Sequence, residues 1–202
     1  MTLAIEIKTL TGQDSEITTR IADVARLRIE VFREFPYLYD GSLAYEQKYL
    51  ATYLNCPQSV IVLALDQDRV IGASTGIPLV AETEEFQSPF LTQGYNPQEI
   101  FYCGESVLLP QYRGHGIYRH FFEQREKHAK RLGGLIYSYF CAVVRPLEHP
   151  RRPANYVPLD RVWQHFGYRQ YPELTTTFPW KDLDETEQSL KTMVFWGKTL
   201  LS

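Results

Sequence analysis

At 202 residues, with 44% hydrophobic side chains and no composition shift or linker, the chain is long enough to bury one sizeable core, and residues 1–202 are expected to form a single domain. Its 21 basic and 24 acidic residues leave a formal charge of −3, which argues against a nucleic-acid surface or an anionic membrane as partner. No basic-apolar leader opens the sequence, no apolar run reaches bilayer length, and Cys56, Cys103 and Cys141 lack metal-ligand spacing. A reduced, cytoplasmic chain without a metal is the simplest expectation.

In chain order, Leu3 to Lys8 alternates apolar Leu3, Ile5 and Ile7 with smaller or charged residues, the pattern of a half-buried strand, and Thr11-Gly12-Gln13-Asp14 breaks it. From about Thr18 to Phe35, Ile21, Val24, Ala25, Val31, Phe32 and Phe35 make a helical stripe that Arg28 interrupts. Pro36 ends that helix, and Pro36 to Gly41 is an aromatic turn. Ser42 is placed to cap a second helix on which Leu43, Gln47, Leu50 and Leu54 share a face. Val60 to Leu65 reads as a central strand, Asp66-Gln67-Asp68 as a turn, and Arg69 to Val80 as the returning strand of a hairpin. Ala81 to Pro97 is polar, expected as a loop with a short helix.

The stretch from Glu99 to Leu132 organises the chain. Its first part is apolar, aromatic and β-branched enough for a buried strand, which Pro110 stops. From Ile117 onward, Phe121, Phe122, Ala129 and Leu132 fall at helical spacing. Between strand and helix lies Gln111-Tyr112-Arg113-Gly114-His115-Gly116. A helix that starts from a glycine turn leaves its first N–H groups unpaired, and these converge with the positive end of the macrodipole on a spot suited to phosphate. Gly114 and Gly116 carry no Cβ to hold an anion away, and Arg113 and Arg119 can add charge. A Gly-x-Gly pair also fits an ordinary tight turn. A dinucleotide fingerprint is excluded because Arg119 stands where its third glycine would be, and a Walker loop because Gly-Lys-Ser/Thr is absent.

Downstream, Leu135 to Val143 reads as a strand. Arg145 to Pro158 is irregular and stiffened by four prolines, and Leu159 to Phe166 is a short helix. Leu174 to Phe178 and Lys191 to Trp196 are closing strands joined by the acidic segment Lys181 to Glu187. This order describes a mixed α/β domain.

Gln111-x-x-Gly114-x-Gly116 after a Glu-containing strand resembles the acyl-CoA pyrophosphate loop of the GNAT N-acetyltransferase superfamily. Val162-Trp163-Gln164-His165-Phe166-Gly167-Tyr168, about fifty residues on, is similar to that family's short helix ending in Gly-Phe or Gly-Tyr. The resemblance covers the second half of the chain well and the first half in its order of elements. It implies a mixed central sheet with helices on both faces, a V-shaped opening between the strands ending near Pro110 and Val143, and acetyl-CoA as cofactor. The implied cofactor surface runs over Val107, Leu108, Leu109, Gln111, Tyr112, Arg113, Gly114, His115, Gly116, Ile117, Tyr118 and Arg119, with backbone groups of Val107 and Leu109 aligning the pantetheine arm.

Acyl transfer to an amine requires removal of an ammonium proton, and a free amine with pKa ~10.4 is about three powers of ten short of its reactive form at neutral pH. Glu105 is the only acid in its strand and matches the strand Glu that many GNAT enzymes use as base; the alternative is a sheet-edge Glu paired to a buried Arg or to a backbone N–H. Tyr37, Tyr39, Asp40, Glu46 and Tyr49 bracket the junction of the first two helices, where GNAT folds commonly line the acceptor pocket. Aromatic and acidic side chains there suit an ammonium substrate, although Tyr-rich turns also cover cores. Many relatives carry an acid Tyr four residues before the closing Gly of the short helix. Here that position, counted from Gly167, is Trp163, and Tyr156 is the nearest replacement phenol unless both simply pack. Cys103 and Cys141 are expected to be packing thiols rather than nucleophiles.

The reading is an acetyl-CoA-dependent N-acetyltransferase moving acetyl to a small-molecule or peptide amine by direct attack. The alternative is a catalytically silent acyl-CoA-binding regulatory domain on the same fold. Met193-Val194-Phe195-Trp196 is apolar on both faces, so it is either covered by the fold or used in a homodimer.

Overall fold

The computed structural model describes residues 4–200. Leu3, assigned above to the first strand, lies outside the described residues. That strand is β1 (Ile5–Thr11), followed by α1 (Glu16–Phe32), α2 (Leu43–Leu54), β2 (Val60–Asp66), β3 (Arg69–Pro78) and α3 (Glu84–Thr92). Next come β4 (Ile100–Tyr102), β5 (Ser106–Leu108), α4 (Ile117–Leu132), β6 (Tyr137–Val143), α5 (Asp160–His165), β7 (Arg169–Trp180) and β8 (Ser189–Thr199). The strands form one mixed sheet of order β1-β2-β3-β4-β6-β8-β7, with β5 paired to β3 beside β4. Only the β4–β6 pair is parallel among the described strands.

Local chemistry explains most of these elements. Val60 to Leu65 is buried on both faces, as a strand inside a helix-covered sheet must be. Ser42 caps α2, its hydroxyl accepting from the Tyr45 N–H at 3.3 Å. In α4 the buried stripe is Ile117, Phe121, Phe122, Arg125, His128 and Ala129, and Gly133 at φ +73° follows the last turn. Met193 to Trp196 is buried because β8 lies between β6 and β7, so the fold itself covers the apolar run that had suggested a subunit interface.

Three boundaries differ from expectation. The first helix ends at Phe32 rather than Phe35, because the chain turns back there and Tyr39 N–H donates to the Phe32 carbonyl at 2.8 Å. The closing strands β7 and β8 are far longer than their apolar centres, since each extends along its partner with alternately exposed polar residues; a register shift sits between Tyr171 and Thr175. The single strand expected before Pro110 is divided into β4 and β5 by residues 103–105. Among the described residues no helix is long and apolar enough to cross a membrane.

Candidate active site

The break between β4 and β5 creates the site. β4 pairs with β3 on one side and β6 on the other, whereas β5 pairs with β3 alone. Beyond Tyr139, β6 runs on against β8, so β5 and β6 splay apart. The Glu105 carbonyl accepts from Thr75 N–H at 3.2 Å and Leu109 N–H donates to the Ile71 carbonyl at 3.0 Å. By the two-residue period of a strand, the backbone groups that face the gap are those of Ser106 and Leu108. This corrects the expectation for Val107 and Leu109, whose polar groups point toward β3.

A cavity of about 80 Å³, open to solvent, lies in the splay. Cys103, Gly104, Glu105 and Ser106 form one wall and Phe140 and Cys141 the other, with Tyr118, Phe122 and Arg125 of α4 and Trp163 of α5 closing it. Phe32 and Tyr37 reach it from the end of α1. Tyr37 is held there by a clamp that sequence reading passed over. Arg145 donates to the Pro36 and Tyr37 carbonyls, each at 2.7 Å, and pairs with buried Asp182 at 2.6 Å.

The glycine loop leads into α4 from the end of β5. Gly114 and Gly116 have φ of +82° and +78°, a region costly for residues with a Cβ, and nothing lies within 4 Å of where a Cβ at either would stand. Among the described residues no hydrogen bond is found from the backbone N–H of Gly114, His115, Gly116 or Ile117 to another residue. These donors are therefore left unpaired at a helix N-terminus, as an anion site requires. Arg119 is exposed and forms no ion pair among the described residues, so it is free to add charge. Arg113 is not, since it donates to Glu34 at 2.8 Å and to the Leu108 carbonyl at 3.2 Å. Tyr112 is buried, its hydroxyl donating to Asp66 at 2.7 Å, and anchors the loop to the β2–β3 turn.

Glu105 stands in the cavity wall with its side chain almost wholly buried, and Arg28 of α1 donates to it. The same guanidinium donates to fully buried Glu46 of α2 and lies over the Tyr49 ring at 4.4 Å. Burial pushes the Glu105 carboxyl above the usual carboxylate range, against the pull of Arg28. Glu105 Oε1 and Glu46 Oε1 are both buried without a hydrogen-bond partner. Arg28 is the residue that broke the apolar stripe of the first helix, and that interruption was the one sequence signal of a buried counter-ion.

Of the other expected acceptor residues, Tyr39 is buried and bridges to Asp182, while Asp40 is taken by Lys181 at 2.6 Å. Tyr156 packs edge-on against Phe35 at 4.7 Å and beneath Arg152, and the phenols in the cavity wall are Tyr37 and Tyr118 instead. Trp163 does face the cavity, packed against Phe140 and Trp196. Cys103 and Cys141 line the cavity as thiols, since burial raises both and takes Cys141 to about 12.

No family model matches the chain, and no curated protein matches it by sequence. Solved structures do match. Arabidopsis thaliana NAA60 in complex with acetyl-CoA is similar at TM-score 0.62 and 12% identity, over 98% of this chain and 100% of that one. A GCN5-related N-acetyltransferase from Kribbella flavida is similar at TM-score 0.57 and 16% identity, over 97% of this chain and 98% of that one. The ribosomal-protein-alanine N-acetyltransferase from Brucella melitensis is similar at TM-score 0.58 and 11% identity, over 96% and 99%.

Proposed function

We propose that this chain, which has the fold of the GNAT N-acetyltransferases, transfers acetyl from acetyl-CoA to a primary amine by direct attack. The carrying observation is the splay between β5 and β6 joined to an open glycine loop at the start of α4. A pyrophosphate at the Gly114–Ile117 N–H groups and a pantetheine arm along Ser106 and Leu108 would deliver a thioester to the cavity beside Glu105. Acetyl-CoA supplies the activated acyl group. The chain's own part is to hold that thioester, place the amine against it and take the amine's proton.

Two cysteines in the cavity do not favour a covalent acyl-enzyme. Both are held as thiols, and the thiolate is the nucleophile. The departing CoA thiol has an ordinary pKa of ~8.5, so modest help from a phenol or water is enough for it to leave. Tyr118 and Tyr37, in the cavity wall, are nearer to that task than Tyr156.

The alternative, an acyl-CoA-binding domain without catalysis, draws support from the ion pairing of Glu105 with Arg28 and from Trp163 at the family's Tyr position. Calorimetry with acetyl-CoA and release of free CoA thiol across an amine panel separate the readings. Binding with release supports the enzyme, binding without release supports the silent domain, and no binding overturns both.

A further inference from the structure

Behind the cavity wall runs a chain of hydroxyl groups that the site described so far does not use. Tyr49 and Tyr53 lie one helical turn apart on α2, their hydroxyls 3.2 Å from each other. Tyr53 is fully buried and donates to Glu82 Oε1 at 3.1 Å. Glu82, after β3, is 6% exposed. Among the described residues neither its carboxylate nor Tyr49 forms an ion pair.

Gly104 is what lets this chain approach the cavity. A Cβ there would stand 2.0 Å from the Tyr53 hydroxyl and 2.9 Å from that of Tyr49, so only glycine admits both phenols against the wall. The polarity of the chain is fixed by chemistry. Tyr53 gives its proton to a carboxylate, so its oxygen accepts from Tyr49, and the oxygen of Tyr49 is left as the open acceptor. Tyr49 is half-buried where Tyr53 and Glu82 are buried, and it lies under the Arg28 guanidinium that holds Glu105.

We propose that the acceptor's ammonium is deprotonated through Tyr49 and Tyr53, with Glu82 as the final proton acceptor. This rests on the acetyltransferase reading. An ammonium N–H breaks and its proton joins the Tyr49 oxygen, whose own proton passes to Tyr53, whose proton passes to Glu82 Oε1. The electron pair stays on the nitrogen for attack on the thioester. Both phenols end neutral, so no phenolate is needed, and Glu82 returns its proton by the reverse path once product has left.

The environment of Glu82 suits the role. Burial raises its carboxyl to about 7, against the hydrogen bonds from Tyr53 and the Thr83 N–H. Glu105 raises it further and Arg28 lowers it. The other titratable groups facing it are Tyr49 of α2, Tyr102 of β4 and Cys141 of β6. From α3, Gln87 reaches only its backbone carbonyl. A proton acceptor near the working pH is more effective than one titrating at the ordinary value of 4.5. Glu105, tied to Arg28, is then the charge that draws the ammonium toward Tyr49.

The test is the pH profile of kcat/KM with a responsive amine, for the wild type, Glu82→Gln, Tyr53→Phe and Tyr49→Phe. The wild type should lose activity on acidification through about pH 7, and each variant should lose roughly 10²-fold or more at pH 7 together with that limb. Near-isosteric Gln and the partly exposed Tyr49 site keep folding out of the comparison. A Glu82→Gln enzyme with the wild-type profile overturns the proposal. Carbon-13 NMR titration of the Glu82 carboxyl keeps the two failures apart, since silence toward every amine overturns the acetyltransferase reading whereas the Glu82 midpoint tests the proton path itself. A midpoint near 7 that rises in Tyr53→Phe supports the proton path, and a midpoint in the ordinary carboxylate range overturns it.

Discussion

The glycine loop and the carboxylate cluster are built in opposite ways. The loop is made by consecutive residues, its donors aimed by the positive φ of Gly114 and Gly116 and by the start of α4. The cluster draws Arg28 from α1, Glu46, Tyr49 and Tyr53 from α2, Glu82 after β3 and Glu105 from the break after β4. A local site depends on a few backbone angles and tolerates damage elsewhere. A site assembled from distant segments is part of the core, and its charges are balanced only in the folded state.

Removing the shared cation should break the cluster most severely. Arg28→Met leaves Glu46 and Glu105 buried without their partner, and chemical denaturation should show a loss of roughly 3–5 kcal/mol. A variant with near wild-type stability would mean that the two carboxylates are solvated or protonated rather than held by Arg28.

Glu82 gives the next largest effect, and its sign depends on pH. Its carboxyl is raised from 4.5 to about 7 on folding, so between those values the folded state holds more proton than the unfolded one. Its contribution is therefore favourable below about pH 4.5 and is lost as pH rises through 7, a cost of up to about 3 kcal/mol. Glu82→Gln should be more stable than the wild type at pH 8 and should show no such gain at pH 5. Equal differences at both pH values would show that Glu82 titrates normally.

In the loop, Gly116→Val forces a branched residue to φ +78°, at a stability cost of roughly 1–2 kcal/mol. Acetyl-CoA affinity should fall far more than that by calorimetry, with native circular dichroism retained. Unchanged affinity would separate the loop from the cofactor altogether.

The finest distinction lies between two phenols. Tyr118→Phe should lower turnover with little change in acetyl-CoA affinity, whereas Tyr156→Phe should leave turnover nearly unchanged, because only Tyr118 lines the cavity. The reverse pattern would restore Tyr156 as the donor to the departing thiol.

The sequence by itself determined the elements whose causes are local. The span of α4, the Ser42 cap, the β2–β3 hairpin and the glycine loop follow from periodicity, capping chemistry and the freedom of glycine, all carried by neighbouring residues. It also marked Glu105 and Tyr37, which the fold brings to one cavity, as candidates, because one acid in an apolar strand and a Tyr in a turn are visible locally.

The tertiary structure decided how the marked residues are used. Nothing near Gly104 in the chain shows that two phenols from α2 need its missing Cβ, and nothing near Arg28 shows which acids it neutralises. The strand broke at residues 103–105, although its composition reads as continuous, because β6 is drawn away from β5 by its long pairing with β8. Asp40 and Arg113 looked available for ligands, but their charges are consumed by Lys181 and Glu34. Ion pairs and close approaches between segments far apart in the chain depend on where the fold brings those segments, which local spacing does not encode.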